Sequence, residues 1–215
     1  MPAQKDNSEP RRPGRPRGGK RATASREELL DIALTLFSRQ GIANTSLNAI
    51  AKEAGVTPAM LHYYFNSREQ LLDAMIEERF LPLRERIGTI FADNRDSPVN
   101  ALTEMVKVLA ELAEQYHWFA PLWMQEVIGE MPVLRTHLQA RFGDEKYQAT
   151  LPTLKGWQQE GKLNQALAPE LLFTTLLSLV LVPFSRMRND ERLKALSPDV
   201  VVRHALAVIG SGIGG

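Results

Sequence analysis

From Ser25 onward the apolar positions recur three and four residues apart, the spacing of one buried stripe on a helix. Ser25 with Glu28 forms a capping box that opens the first of these helices. Its inner stripe is Leu29, Ala33, Leu36 and Phe37, and Gln40-Gly41 ends it. Ser46 starts the second, with Leu47, Ile50, Ala51 and Ala54 inside. Gly55 then supplies positive φ for a sharp turn, and Val56 fills its inner side. Thr57 is the next N-cap, and Pro58 sits at the first helical position, where a missing N–H does no harm. Leu61 and Phe65 lie four apart on the inner side of that short helix. Ser67, with Gln70 three residues on, caps a longer amphipathic run through Leu71, Leu72, Met75, Ile76 and Phe80. Pro82 interrupts it, as a kink or as a helix end.

The same period continues beyond Ser97-Pro98. Ala101, Leu102, Met105, Val106, Leu109, Leu112, Ala113 and Tyr116 make a stripe wide enough for a central core helix. Trp118, Phe119, Leu122, Trp123, Met124, Val127 and Ile128 follow, broken by Pro121 and ended near Gly129. A further helical region, 131–160, carries Leu134, Leu138, Phe142, Leu151, Leu154 and Trp157, and Gly143 and Pro152 argue against a single straight rod. Gly161 closes it. Pro169 opens a helix with almost no polar face, and a helix apolar all round is buried all round. It falls short of the ~20 apolar residues of a membrane span, contains Thr174, Thr175 and Ser178, and meets Pro183. A subunit interface fits it better. Ser197-Pro198 starts the last helix, with Val201, Val202, Ala205, Leu206 and Ile209 near one face. The expected fold is all-α.

Helix, tight glycine turn and short second helix is the sequence form of a helix-turn-helix, whose second helix enters the DNA major groove. The outward positions of that second helix are Pro58, Ala59, His62, Tyr63 and Tyr64, where a solvated face would carry Lys and Glu. Three large rings do not all fit one small core, so at least one is expected on the surface, as part of a contact patch. The competing account has two of the three completing a compact three-helix core.

Charge changes the picture at the N-terminus. The net charge of +1 hides an arm, residues 1–24, with seven cations (Lys5, Arg11, Arg12, Arg15, Arg17, Lys20, Arg21) against Asp6 and Glu9. Pro and Gly run through it, so it is expected to be disordered in isolation. Arg12-Pro13-Gly14-Arg15-Pro16-Arg17 resembles the AT-hook, and an extended Arg-Pro-Arg is thin enough for the narrow minor groove of A·T tracts. A generic basic tail gripping phosphates is the alternative. Between Thr57 and Ser67 there is no Lys or Arg, so the arm is expected to supply most of the counterion release that drives binding to DNA.

Composition removes other classes. There is no cysteine, hence no disulfide or thiolate metal site, and no N-terminal apolar run of a signal peptide, which makes a cytoplasmic protein the expectation. The four histidines are scattered, and HExxH, nucleophile-elbow and P-loop patterns are absent, so neither an enzyme nor a metal or cofactor site is expected. The terminal Gly210-Ser211-Gly212-Ile213-Gly214-Gly215 mimics a glycine fingerprint but has no helix after it.

The stretch from Ser25 to about Leu72 resembles the DNA-binding domain of the TetR family of bacterial transcriptional regulators. The match rests on Ala33, Phe37, Gly41, Thr45-Ser46, the AIAKEAGVT segment, Leu61, Tyr64-Phe65, and Ser67-Arg68-Glu69 before Leu71. It departs from the family at Pro58, where Lys is frequent, and at His62, where Tyr is usual. The resemblance implies a helix-turn-helix domain over 25–70, a larger helical effector-binding and dimerisation domain over 71–211, and a flexible tail over 212–215. The implied DNA contacts are Arg15, Arg17, Thr45, Ser46, Thr57, Pro58, Ala59, His62, Tyr63, Tyr64 and Arg68. The implied effector pocket draws on His117, Trp118, Trp123, Met124, Phe142, Trp157, Phe173 and Thr174, with Phe119, Met131, Gln125 and His137 as further lining. Core packing is the competing account of each aromatic, and a surface or internally satisfied ring that of His117 and His137. The two C-terminal helices of each chain, 169–188 and 198–210, are expected to form a four-helix dimer contact through Leu172, Leu176, Leu179, Val180, Val202, Leu206 and Ile209. The partners implied are a palindromic double-stranded DNA operator, a second copy of the chain and a small-molecule effector, with no membrane. Repression is favoured over activation because occupying a promoter needs no further surface. The rival in another class is an architectural DNA binder that uses its arm without operator specificity.

Overall fold

The computed structural model describes residues 24–128, 132–143 and 145–213, and the basic arm lies outside them. Its helices are α1 (Arg26–Gln40), α2 (Leu47–Glu53), α3 (Pro58–Tyr64), α4 (Arg68–Met75), α5 (Leu81–Asp93), α6 (Pro98–Gln115), α7 (Phe119–Ile128), α8 (Val133–Phe142), α9 (Glu145–Gln159), α10 (Pro169–Met187) and α11 (Pro198–Ile213). Among the described residues there is no strand.

The helix starts follow their caps. Ser25 Oγ accepts the Glu28 N–H at 3.1 Å while the Glu28 carboxylate accepts the Ser25 N–H at 2.7 Å, so two orphan donors of α1 are satisfied reciprocally. Ser46, Thr57, Ser67 and Ser97 each accept the N–H three residues on, and Pro58 and Pro98 occupy the first position of α3 and α6. Leu29, Ala33 and Phe37 of α1 meet Ile50, Leu61, Phe65 and Leu71 in the buried centre of a small N-terminal domain. In the larger part α6 is the axle: α5, α7, α10 and α11 all pack on it, and its predicted stripe is buried from Ala101 to Ala113.

Three prolines resolve differently from simple breaks, and one glycine does break a helix. Pro82 neither ends nor breaks the run from Arg68. A π-helical turn, Ile76–Phe80, precedes it, with the Leu81 N–H bonded five residues back to the Ile76 carbonyl. The wider turn accommodates the proline ring, and the Glu78 carbonyl, deprived of its usual donor, accepts from the Arg79 guanidinium at 3.4 Å. Pro121 lies in the first turn of α7, where no intrahelical donor is lost, so it breaks nothing. Gly143, at φ +58°, separates α8 from α9, whereas Pro152 stays inside α9. At the C-terminus α11 continues to Ile213, beyond the expected start of a flexible tail at 212. The 19-residue α10 is long and apolar enough to cross a membrane by length and composition, but here it packs on α6 and α7.

Candidate nucleic-acid interface and internal cavity

The turn between α2 and α3 is closed by backbone bonds. The Val56 N–H reaches Ala51 O at 3.0 Å and the Gly55 N–H reaches Lys52 O at 3.2 Å, which requires Gly55 at φ +67°. The turn presents the outer side of α3. Pro58, Ala59 and His62 are exposed, and Tyr63 is 84% exposed, its ring edge-on to Tyr64 at 5.3 Å. Tyr64 is half-buried against the core, so of the three rings one belongs to the interior and two to the surface. Ser46 and Thr57 sit exposed at the N-termini of α2 and α3, where backbone N–H groups favour an anion. Their oxygens accept the Ala49 and Met60 N–H, leaving each hydroxyl hydrogen to donate.

Two expected contacts turn inward. Thr45 is 2% exposed and its hydroxyl donates to Gly41 O at 2.8 Å, bracing the loop after α1. The Arg68 guanidinium is folded under the domain onto the Ile42 carbonyl. A short cap residue and a long cation next to a helix start look the same in sequence whether they face solvent or close a loop. Arg15 and Arg17 lie outside the described residues.

In the larger part a cavity of about 530 Å³ lies between α5, α7, α8, α9 and α10. Of the expected lining it brings together Trp123, Met124, Phe173 and Thr174, with Phe119. The other aromatics are core. Trp157 is buried, donates its indole N–H to Arg95 O at 2.5 Å and packs on Phe91. Trp118 sits among Phe80, Tyr116 and Phe119, with ring centroids 5.2–6.1 Å away. Phe142 lies beneath the guanidinium groups of Arg84 and Arg141, off the cavity wall. His117 is exposed, and His137 is half-buried away from the wall. Met131 lies outside the described residues. Large apolar side chains fill a core and line a hole by the same composition, so only the place where packing fails to close separates the two.

The charged groups on the wall are ones the pattern did not single out: Glu126, Arg84 and Arg135. Glu126 is 6% exposed, and its Oε2 accepts the Leu134 N–H at 2.8 Å and the Arg135 N–H at 3.2 Å, holding the start of α8. Burial pushes its carboxyl up from the ordinary value, and the two N–H bonds pull the other way. A sequence signal existed, since Gln125 and Glu126 are the polar pair inside the apolar run of α7.

Residues 29–75 match the family described as bacterial regulatory proteins, tetR family. An HTH-type transcriptional regulator, RutR of Escherichia coli strain K12, is 30% identical over 162 residues, covering 72% of this chain and 73% of RutR. This chain belongs to the TetR family. An HTH-type transcriptional repressor, KstR2 of Rhodococcus jostii, is 24% identical over 188 residues, covering 87% of this chain and 90% of that repressor. Among solved structures the ketosteroid transcriptional regulator KstR2 of Mycobacterium tuberculosis superposes with a TM-score of 0.67 at 21% identity, over 88% of this chain and 95% of that one, and shares the fold. Like other TetR-family members, this chain is a DNA-binding transcriptional regulator rather than an enzyme.

Within this TetR-family fold the cavity walls are tied to the reading domain at two places. Gln125 on α7 donates to Ser38 O of α1 at 2.8 Å, and its Oε1 would lie 3.4 Å from a Cβ at Gly41, whose φ of +84° already demands glycine. Arg141 on α8 reaches Asp73 of α4 at 3.1 Å and also Glu77 in the π turn. The same turn is pinned to α1 by Arg26–Glu78 at 2.6 Å and Arg79–Asp31 at 2.9 Å. The Arg26 hydrogen bond holds the Glu78 carboxyl below its ordinary value.

The C-terminal helices divide their apolar residues. Leu172, Leu176 and Val180, expected on the interface, are buried within the single chain, where α10 packs on α6 and α7. A helix apolar all round carries no polar face to show which side is inward. Leu179, Val202, Leu206 and Ile209 are half-covered, while Leu171 is 63% and Val208 47% exposed.

Proposed function

We propose that this regulator is a repressor that binds a palindromic operator as a homodimer and releases it when a small molecule occupies the cavity. Tyr63, His62, Ala59 and Pro58 read the major groove, Ser46 and Thr57 meet phosphates, and the arm, through Arg15 and Arg17, supplies the cations that α3 lacks. One short helix spans too few base pairs for useful specificity, and two related by a two-fold axis read a palindrome. Leu171, Leu179 and Val182 of α10 and Val202, Leu206, Val208 and Ile209 of α11 form the partner face.

The observation that supports effector control is that α7 and α8, which wall the cavity, are the helices bonded to the reading domain through Gln125 and Arg141. An occupant that moves either wall moves the head, and the shift it produces is limited by its differential affinity for the two head spacings. Genome-wide mapping of binding sites followed by footprinting tests the reading. A protected palindrome is expected, and diffuse A·T-rich protection would favour the architectural alternative.

A further inference from the structure

We propose that the cavity takes an amphipathic cation: an apolar, ring-bearing body carrying a protonated amine that pairs with Glu126. The proposal rests on the reading of the cavity as the effector site and names the chemistry of its ligand. Glu126 is the acidic side chain among the described lining residues, and both of its backbone hydrogen bonds fall on Oε2. Among the described residues the two hydrogen bonds to its carboxylate leave Oε1 without a donor, and no described Lys, Arg or His forms an ion pair with it. A carboxylate taken out of water without a cation is costly, and a partner that supplies both charge and donors offsets that cost. The Leu134 and Arg135 N–H groups fix the carboxylate in place before any ligand arrives, so Oε1 is pre-oriented.

The remainder of the wall suits such a ligand. Trp123, Phe119 and Phe173 offer ring faces and edges to an apolar body or to an ammonium group. An anionic ligand is the competing occupant, because Arg84 and Arg135 also line the cavity. The Arg84 guanidinium, however, donates to Gly143 O at 3.1 Å and lies 5.4 Å from the Phe142 ring centre. Arg135 is exposed, at the rim. An anion would have to displace these contacts and share the interior with Glu126.

Three fluorescent probes with one body and different heads, pyrenebutylamine, pyrenebutanol and pyrenebutyrate, decide the matter by titration into the full-length protein. The amine is expected to bind roughly tenfold more tightly than the alcohol, and the carboxylate most weakly. Glu126→Gln keeps an acceptor for the Leu134 and Arg135 N–H groups, which a melting curve checks, and should erase the amine's advantage while leaving the alcohol nearly unchanged. A carboxylate that binds as tightly as the amine, an advantage that survives Glu126→Gln, or no binding by any probe overturns the proposal. Release of a footprinted DNA fragment is measured alongside. Amine binding through Glu126 without release would sink effector control and leave the ligand class standing. Equal binding and equal release by amine and alcohol would do the reverse.

Discussion

Tyr63 and Tyr64 are neighbours on α3 with opposite commitments, one ring in solvent and one half inside the three-helix core. Tyr63→Ala should therefore leave the unfolding free energy within about 0.5 kcal/mol while weakening operator binding roughly tenfold or more, as an exposed aromatic anchor does. Tyr64→Ala should cost ~1–3 kcal/mol of stability through lost packing. Melting curves and DNA-binding titrations on both variants separate the roles, and a Tyr63 variant that binds as well as wild type would remove α3 from the reading face. Glu126 carries the second residue-scale prediction. Burial raises its carboxyl in the folded state, so its favourable contribution is present below the ordinary carboxylate value and is lost as pH rises through the raised one. Glu126→Gln should accordingly melt higher than wild type at neutral pH, with the gap closing as the solution is acidified into the carboxylate range. A gap that does not change with pH would show that Glu126 is not titrating there.

Among the elements, the π turn before Pro82 is one of the two places where the reading domain and the cavity wall meet. Its consecutive charged residues Glu77, Glu78 and Arg79 bond to α8 and α1. The pairs are substantially exposed, and pairs of that kind contribute ~0–1 kcal/mol each, so their value lies in relative position more than in stability. Arg141→Met should leave the melting temperature nearly unchanged and reduce, several-fold, the factor by which a cavity ligand weakens operator binding, since couplings of this kind are ~1–3 kcal/mol. Unaltered coupling would place transmission in α7 and Gln125 instead. Pro82 announced an irregularity in the sequence. It took the form of a widened turn in a continuous helix, with the Arg79 guanidinium donating to the Glu78 carbonyl.

At the scale of the molecule, two predictions concern the proposed dimer and the arm. Leu171→Glu combined with Val208→Glu places charge on side chains that are exposed in the single chain, so folding should survive. Light scattering should show the mass falling from twice the 24.1 kDa chain mass to that of one chain, with loss of high-affinity DNA binding. Persistence of the dimer would move the interface elsewhere. Deletion of residues 1–24 removes seven cations and should flatten the slope of log affinity against log salt as well as weaken binding severely. An unchanged slope would mean that the phosphates are neutralised by other cations, such as the exposed Lys52.

Local chemistry in the sequence determined the helix starts at Ser25, Ser46, Thr57, Ser67 and Ser97, the glycine turn at Gly55, and the inward stripes of α1 and α6, because caps, positive φ and helical period act over a few neighbouring residues. It also carried the family. The inward turn of Thr45 and Arg68, the burial of Trp118 and Trp157 beside an open cavity, the side of α10 that faces its own bundle, and the seat of Glu126 were decided by tertiary structure. Each of those depends on what another helix places opposite, and a residue's own spacing holds no record of that.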